Sequence, residues 1–176
     1  MRQIIKILML LSLTFLYSDT MMNSANTSSI MAKENPFLVE QYVQQYIDNT
    51  APSVQVYYSI KKYCKVYNVP EEYAFKVAYI ESGWKGPLQW KYNPYDKISS
   101  ANAYGAMQVL QSTAQDVWKD KSITKEQLLN DVDFNVHTSI KYMRQLHDSH
   151  GSWGKVFSVY NTGYTTLNDY AMSVVN

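Results

Sequence analysis

A chain of 176 residues, 46% of them apolar and 18% charged, is large enough to bury one sizeable core and too apolar to be disordered throughout. Sixteen Lys and Arg stand against fifteen Asp and Glu; without residues 1–25, which hold Arg2, Lys6 and Asp19, fourteen of each remain. That neutrality excludes the basic stripe that a nucleic-acid or polyanion binder needs, and a single cysteine, Cys64, excludes an intramolecular disulfide.

The N-terminus has the layout of an export signal: Arg2 and Lys6 supply positive charge, Ile7 to Tyr17 an apolar stretch, and small polar residues follow. Residues 1–25 are therefore read as a signal peptide with Ala25 as the candidate cleavage point. The apolar stretch falls short of the roughly 20 residues of a membrane span, although an uncleaved anchor is the alternative. Residues 26–35 form a polar, aperiodic lead-in, and a folded domain is expected over 36–176. Its first helix carries Leu38, Tyr42 and Tyr46. Pro52 opens a second, with Val56, Ile60, Tyr63 and Tyr67 at helical spacing and a buried, inert Cys64 on that face. A third begins near Pro70, has Glu71 and Glu72 at its positive end, and puts Ala74, Val77, Ala78 and Glu81 on one face before Gly83 stops it. Trp84 to Tyr104, with Gly86, Pro87, Asn93, Pro94 and Asp96, reads as a long loop, a length that compact domains usually reserve for function.

Helical character resumes over Met107 to Trp118, with Thr113 as a candidate cap, and Thr124-Lys125-Glu126-Gln127 has the form of a capping box. Val136, Ile140, Met143 and Leu146 stripe a longer helix ending near His150-Gly151. A final helix runs from Trp153 through Val156, Phe157 and Tyr160 to the turn Asn161-Thr162-Gly163. No run alternates as a strand does, so the fold class expected is all-α. Sixteen Tyr and four Trp are the compositional anomaly. Rings with apolar faces and polar tips suit a carbohydrate cleft, and they equally replace Phe and Leu in a core.

Glu81 carries the chemistry. It sits at the negative end of its helix and on an apolar face, and both placements disfavour the ionised form. A carboxyl held protonated near neutral pH is what a general acid needs in order to donate to a glycosidic oxygen. The bland alternative is a buried Glu paired with a basic residue or backbone amides.

Glu81-Ser82 at a helix end, then Gly105-Ala106-Met107-Gln108, then Asn135-Val136 with Tyr142 in a long helix, then Val159-Tyr160-Asn161-Thr162-Gly163, resembles the soluble-type lytic transglycosylase domain, a relative of goose-type lysozyme. The order matches from Pro70 to Gly163. The resemblance implies a lysozyme-like helical domain with a cleft-lining loop, Glu81 as catalytic acid/base, and a substrate-contacting set of Ser99, Met107, Gln108, Tyr160 and Asn161. In that set Met107 lines the cleft, and Tyr160 brings its hydroxyl near the Glu81 carboxylate. Four features depart from the family pattern: Ala106 for Leu, Gln111 for Pro, Ser139 for a helix Gly, and an insertion around Leu88-Gln89-Trp90-Lys91-Tyr92-Asn93. The insertion makes Trp84, Trp90, Tyr92 and Tyr104 candidates for extra sugar stacking.

Most glycosidases pair two carboxylates roughly 5 to 9.5 Å apart; the resembled family works with one. The resemblance implies that Glu81 protonates the oxygen between N-acetylmuramic acid and N-acetylglucosamine, then takes the proton of the muramoyl C6 hydroxyl, giving a 1,6-anhydro end. It implies peptidoglycan strands as substrate, no cofactor and no metal, and His137, His147 and His150 form no convincing ligand set. A monomer is expected, exported to the periplasm or beyond, with a secretion or envelope-spanning assembly as a candidate partner. Two rivals stand beside this reading: a goose-lysozyme-like hydrolase in which Asp96 positions water, and an exported glycan-binding or assembly protein without activity.

Overall fold

The computed structural model describes Gln45 and residues 49–176. The expected signal peptide, the lead-in and the helix of Leu38, Tyr42 and Tyr46 lie outside the described residues. The chain divides into two units, Met1–Asn49 and Thr50–Asn176, and the candidate site lies wholly within the second.

The second unit is mostly helical, as the sequence leads one to expect. Helix α1 (Pro52–Tyr67) starts with Pro in its first turn, where the missing N–H costs nothing, and ends at Asn68 in the left-handed region. Its stripe of Val56, Ile60, Tyr63 and Cys64 is buried, and burial pushes the Cys64 thiol up to about 12, leaving it uncharged. Helix α2 (Glu71–Ser82) stops at Gly83, whose φ of 74° lets its N–H reach the Tyr79 carbonyl at 2.9 Å.

The loop that follows is pinned to both helices. The Trp84 indole N–H donates to the Ser53 carbonyl at 3.0 Å, the Ser53 hydroxyl to the Pro87 carbonyl at 2.9 Å, and the Ser82 and Tyr92 hydroxyls meet at 2.7 Å. Strands β1 (Ala103–Tyr104) and β2 (Val109–Leu110) then pair antiparallel, Ala103 opposite Leu110 and Tyr104 opposite Val109. This hairpin occupies the start of the segment expected to be helical. Its turn needs Gly105 at φ 74° and puts Gln108 at φ 49°, both incompatible with a continuing helix.

Helix α3 (Gln111–Trp118) therefore starts at Gln111, and Thr113 lies inside it rather than at its cap. Thr124 does cap α4 (Lys125–Asn130), accepting the Gln127 N–H at 3.2 Å. Asp131 caps α5 (Val132–His150), accepting the Phe134 N–H at 2.9 Å. Helix α6 (Trp153–Thr162) ends at Gly163, and a further helix, α7 (Asp169–Val175), was not expected from sequence.

Helix α5 is the hub, packing against α1, α3, α4 and α6, while α7 lies against α6 and α2. Val136, Ile140 and Met143 of α5 are fully buried with Phe157 of α6 and Ala171 and Val174 of α7. Each large apolar side chain so buried contributes about 1.5–3 kcal/mol. A polar seam joins the far side of α5 to α1: Asp133 accepts from the Tyr63 hydroxyl and, at 2.8 Å, from that of Ser59. The His137 ring stacks on Tyr63 and bonds the Tyr67 hydroxyl at 2.8 Å. Among the described residues no helix is long and apolar enough to cross a membrane.

Candidate active site

Glu81 occupies the last turn of α2, half-buried beside the fully buried Val77 and Ala78. Burial holds its carboxyl above the usual range for a glutamate. One hydrogen bond works against that shift: the Tyr170 hydroxyl donates to Glu81 Oε1 at 2.5 Å. Among the described residues no cation pairs with Glu81. The bland alternative, a carboxylate neutralised by Lys or Arg, is not what the structure shows. With Oε1 accepting from a phenol, an acidic proton belongs on Oε2.

Tyr170 comes from α7, and sequence reasoning missed it. The signal was present in Asn168-Asp169: Asn168 caps α7 by accepting the Ala171 N–H at 2.9 Å, and Asp169 sits in the favourable first turn. Burial, then the neighbouring Glu81 charge, hold the Tyr170 phenol well above the usual tyrosine range, so it stays a donor.

Tyr160 shares the electrostatic neighbourhood of Glu81 without bonding to it. Its hydroxyl donates to the Met107 carbonyl at 2.7 Å and lies 2.8 Å from the Ser139 hydroxyl, so the phenol bonded to Glu81 is Tyr170 instead. The Glu81 charge, after burial, still helps hold the Tyr160 phenol far above its usual value, which places the two side chains in one electrostatic neighbourhood.

Met107 is where the structure departs from expectation. Its side chain is fully buried in the core and is no part of a cleft wall; only its main chain serves the site. The Met107 N–H donates to Asn135 Oδ1 at 2.9 Å, and Asn135 Nδ2 donates to the Tyr104 and Leu128 carbonyls. Gly105 makes this possible: a Cβ there would stand 2.6 Å from Asn135 Nδ2 and 2.9 Å from the Leu128 oxygen. Only glycine lets the turn approach α5 so closely.

Gln108 follows in the left-handed region with its side-chain amide folded back, Nε2 donating to the Gly105 carbonyl at 2.9 Å and the Lys97 carbonyl at 3.1 Å. Both amide hydrogens are thereby used, and Oε1 remains as an acceptor. Gln108, Tyr160 and Asn161 come together on a cavity of about 310 Å³, walled also by Ser139, Tyr142 and Thr162.

Glu81 is not among the residues lining that cavity, and neither is Ser99. Its hydroxyl accepts the Ala103 N–H at 3.0 Å and closes the turn before β1. Of the four ring candidates, Trp84, Tyr92 and Tyr104 are buried, whereas Trp90 is 70% exposed. Asp96 is exposed on the loop and accepts from Asn93 Nδ2 at 3.1 Å. Gln111, where the pattern of the resembled family has Pro, is the first residue of α3, and its amide donates to the Ile123 carbonyl at 2.9 Å. Among the described residues no group of three His, Cys, Asp or Glu could hold a metal ion.

Two solved structures resemble the fold. An inactive mutant of the lytic transglycosylase Slt from Pseudomonas aeruginosa is 20% identical, with a TM-score of 0.49, over 60% of this chain and 16% of that one. The 70 kDa soluble lytic transglycosylase from Escherichia coli is 21% identical, with the same TM-score and coverage. The chain thus spans only about a sixth of either protein. No curated protein matches it. The family described as Transglycosylase SLT domain matches residues 58–174, a stretch that runs from α1 through α7 and takes in Glu81, Gln108, Tyr160 and Tyr170. With two thirds of its residues inside that match, the chain belongs to the Transglycosylase SLT domain family.

Proposed function

We propose that this protein is a peptidoglycan lytic transglycosylase that cuts the β-1,4 bond between N-acetylmuramic acid and N-acetylglucosamine with Glu81 as its single acid/base. The observation that carries the reading is the state of Glu81: half-buried, raised in pKa, without a cation among the described residues, and bonded through one oxygen to a phenol. Such a carboxyl keeps its proton where an exposed glutamate has lost it.

In the first step the Glu81 carboxyl protonates the glycosidic oxygen as the bond to the anomeric carbon breaks, and the substrate's acetamido group stabilises the positive charge there. The carboxylate left behind is stabilised by the Tyr170 O–H. It then accepts the proton of the muramoyl C6 hydroxyl while that oxygen bonds to the anomeric carbon. The 1,6-anhydro ring closes, Glu81 is again protonated, and no water is consumed. Gln108 offers Oε1 to a sugar hydroxyl or an acetamido N–H, and Asn161 lines the same cavity. The Ser99 hydroxyl, having accepted a backbone N–H, keeps its own proton for a sugar. The export signal read in residues 1–25 fits a substrate outside the cytoplasm, and a domain over 36–176 acting as a monomer, alone or beside an envelope-spanning assembly, is the accompanying proposal.

The test is mass analysis of purified sacculi digested by the wild type and by Glu81→Gln. The wild type is expected to release anhydro-muramic ends, lighter by one water than reducing ends. Glu81→Gln should lose turnover by about 10²–10⁴-fold with glycan binding retained. Reducing ends would point to hydrolysis with Asp96 as the water-holding group; full activity in Glu81→Gln would sink the acid/base assignment.

A further inference from the structure

Ser139 sits fully buried in the middle of α5 and walls the cavity. A serine inside a helix ordinarily returns its hydroxyl to the carbonyl four residues back, as Ser82, Ser149 and Ser158 do here. Ser139 does otherwise: its Oγ lies 2.8 Å from the Tyr160 hydroxyl.

The proton count fixes the direction of that bond. Tyr160 has one O–H, and the Met107 carbonyl, 2.7 Å away, can only accept. The phenolic proton is therefore committed to Met107, and the phenolic oxygen must accept from Ser139. The result is a directed chain from the Ser139 O–H through the Tyr160 O–H to the Met107 carbonyl, in which each bond polarises the next. One turn earlier on α5, Asn135 accepts the Met107 N–H at 2.9 Å. A single turn of α5 thus holds both polar ends of Met107, the N–H directly and the C=O through Tyr160. The next residue is Gln108, in the left-handed conformation that presents it to the cavity.

We propose that Ser139 is a positioning residue that fixes the direction of the Tyr160 hydroxyl and, through the Met107 carbonyl, seats Gln108 for the glycan. The proposal rests on the reading of the cavity as a glycan site. Ser139 touches no reacting atom and acts through Tyr160.

Three readouts on the full chain test it. Ser139→Ala should raise KM for soluble peptidoglycan strands about three- to tenfold, the worth of one neutral hydrogen bond, with kcat within about twofold. The double variant Ser139→Ala/Tyr160→Phe should be no worse than Tyr160→Phe, because both act along one chain. In protein labelled with ¹³C at tyrosine Cζ, the Tyr160 resonance, identified by its absence in Tyr160→Phe, should move in Ser139→Ala while that of Tyr170 stays. An unchanged KM, losses that multiply in the double variant, or an unmoved Tyr160 resonance overturns the proposal. Should Ser139→Ala not fold, Ser139→Gly takes the same measurements. If the wild type cuts no glycan, the enzymatic reading fails by itself, and the Cζ resonance still decides the proton direction.

Discussion

At Glu81 two influences oppose one another: burial raises the acid's pKa, and the Tyr170 hydrogen bond draws it down. The sign of a Tyr170→Phe change follows. Without the phenol the conjugate base loses the Tyr170 donor, the pKa climbs further, and the alkaline limb of the kcat/KM profile moves to higher pH. Turnover should fall about 10- to 100-fold, the worth of a hydrogen bond to a charged group. A pH–rate series on both proteins checks this, and an alkaline limb that stays or moves down would contradict the role given to Tyr170. Glu81 was legible in the sequence because its helix phase, its neighbours and the stop at Gly83 lie within a dozen residues. Tyr170 was not, because nothing local ties a tyrosine to a carboxylate 89 positions away. Met107 was misread for a related reason: motif membership says that a residue serves the site, and cannot say whether through its side chain or its backbone.

Among elements, α5 and α7 mark the limits of sequence reading. The stripe of Val136, Ile140, Met143 and Leu146 outlines about three of the roughly five turns of α5, which lies between Asp131 and Gly151. Helix α7 has only seven residues, two of them buried, too few for a period to stand out. The β1–β2 hairpin was missed because two-residue strands cannot alternate visibly, and its shape comes from Gly105 packing on Asn135 rather than from any strand propensity. The cap of α7 is where structure and activity should fail together. Asn168→Ala should cost about 1 kcal/mol of stability, read from the denaturant midpoint. It should also lower turnover, because the loosened helix carries Tyr170. Lost stability with turnover intact would mean that turnover does not depend on how firmly α7 seats the phenol.

Across the whole molecule, acid should weaken the α1–α5 seam. Burial depresses the His137 pKa to about 4, with the Lys141 and Lys62 charges adding to the effect and Asp133 opposing it. A folded-state value below the unfolded 6.5 means that the unfolded chain binds more protons between the two, so the stabilisation is complete above pH 6.5 and is lost as pH falls toward 4. Thermal unfolding across that window should show a falling Tm in the wild type and a flatter profile in His137→Phe; parallel profiles would discharge His137 from the seam.

The bond from Tyr170 to Glu81 also orders events during synthesis. A chain still on the ribosome has made its acid long before the phenol that tempers it, since 89 positions separate them. Until that stretch emerges and its helix docks, the carboxyl lacks the Tyr170 donor, and the nascent site is unfinished.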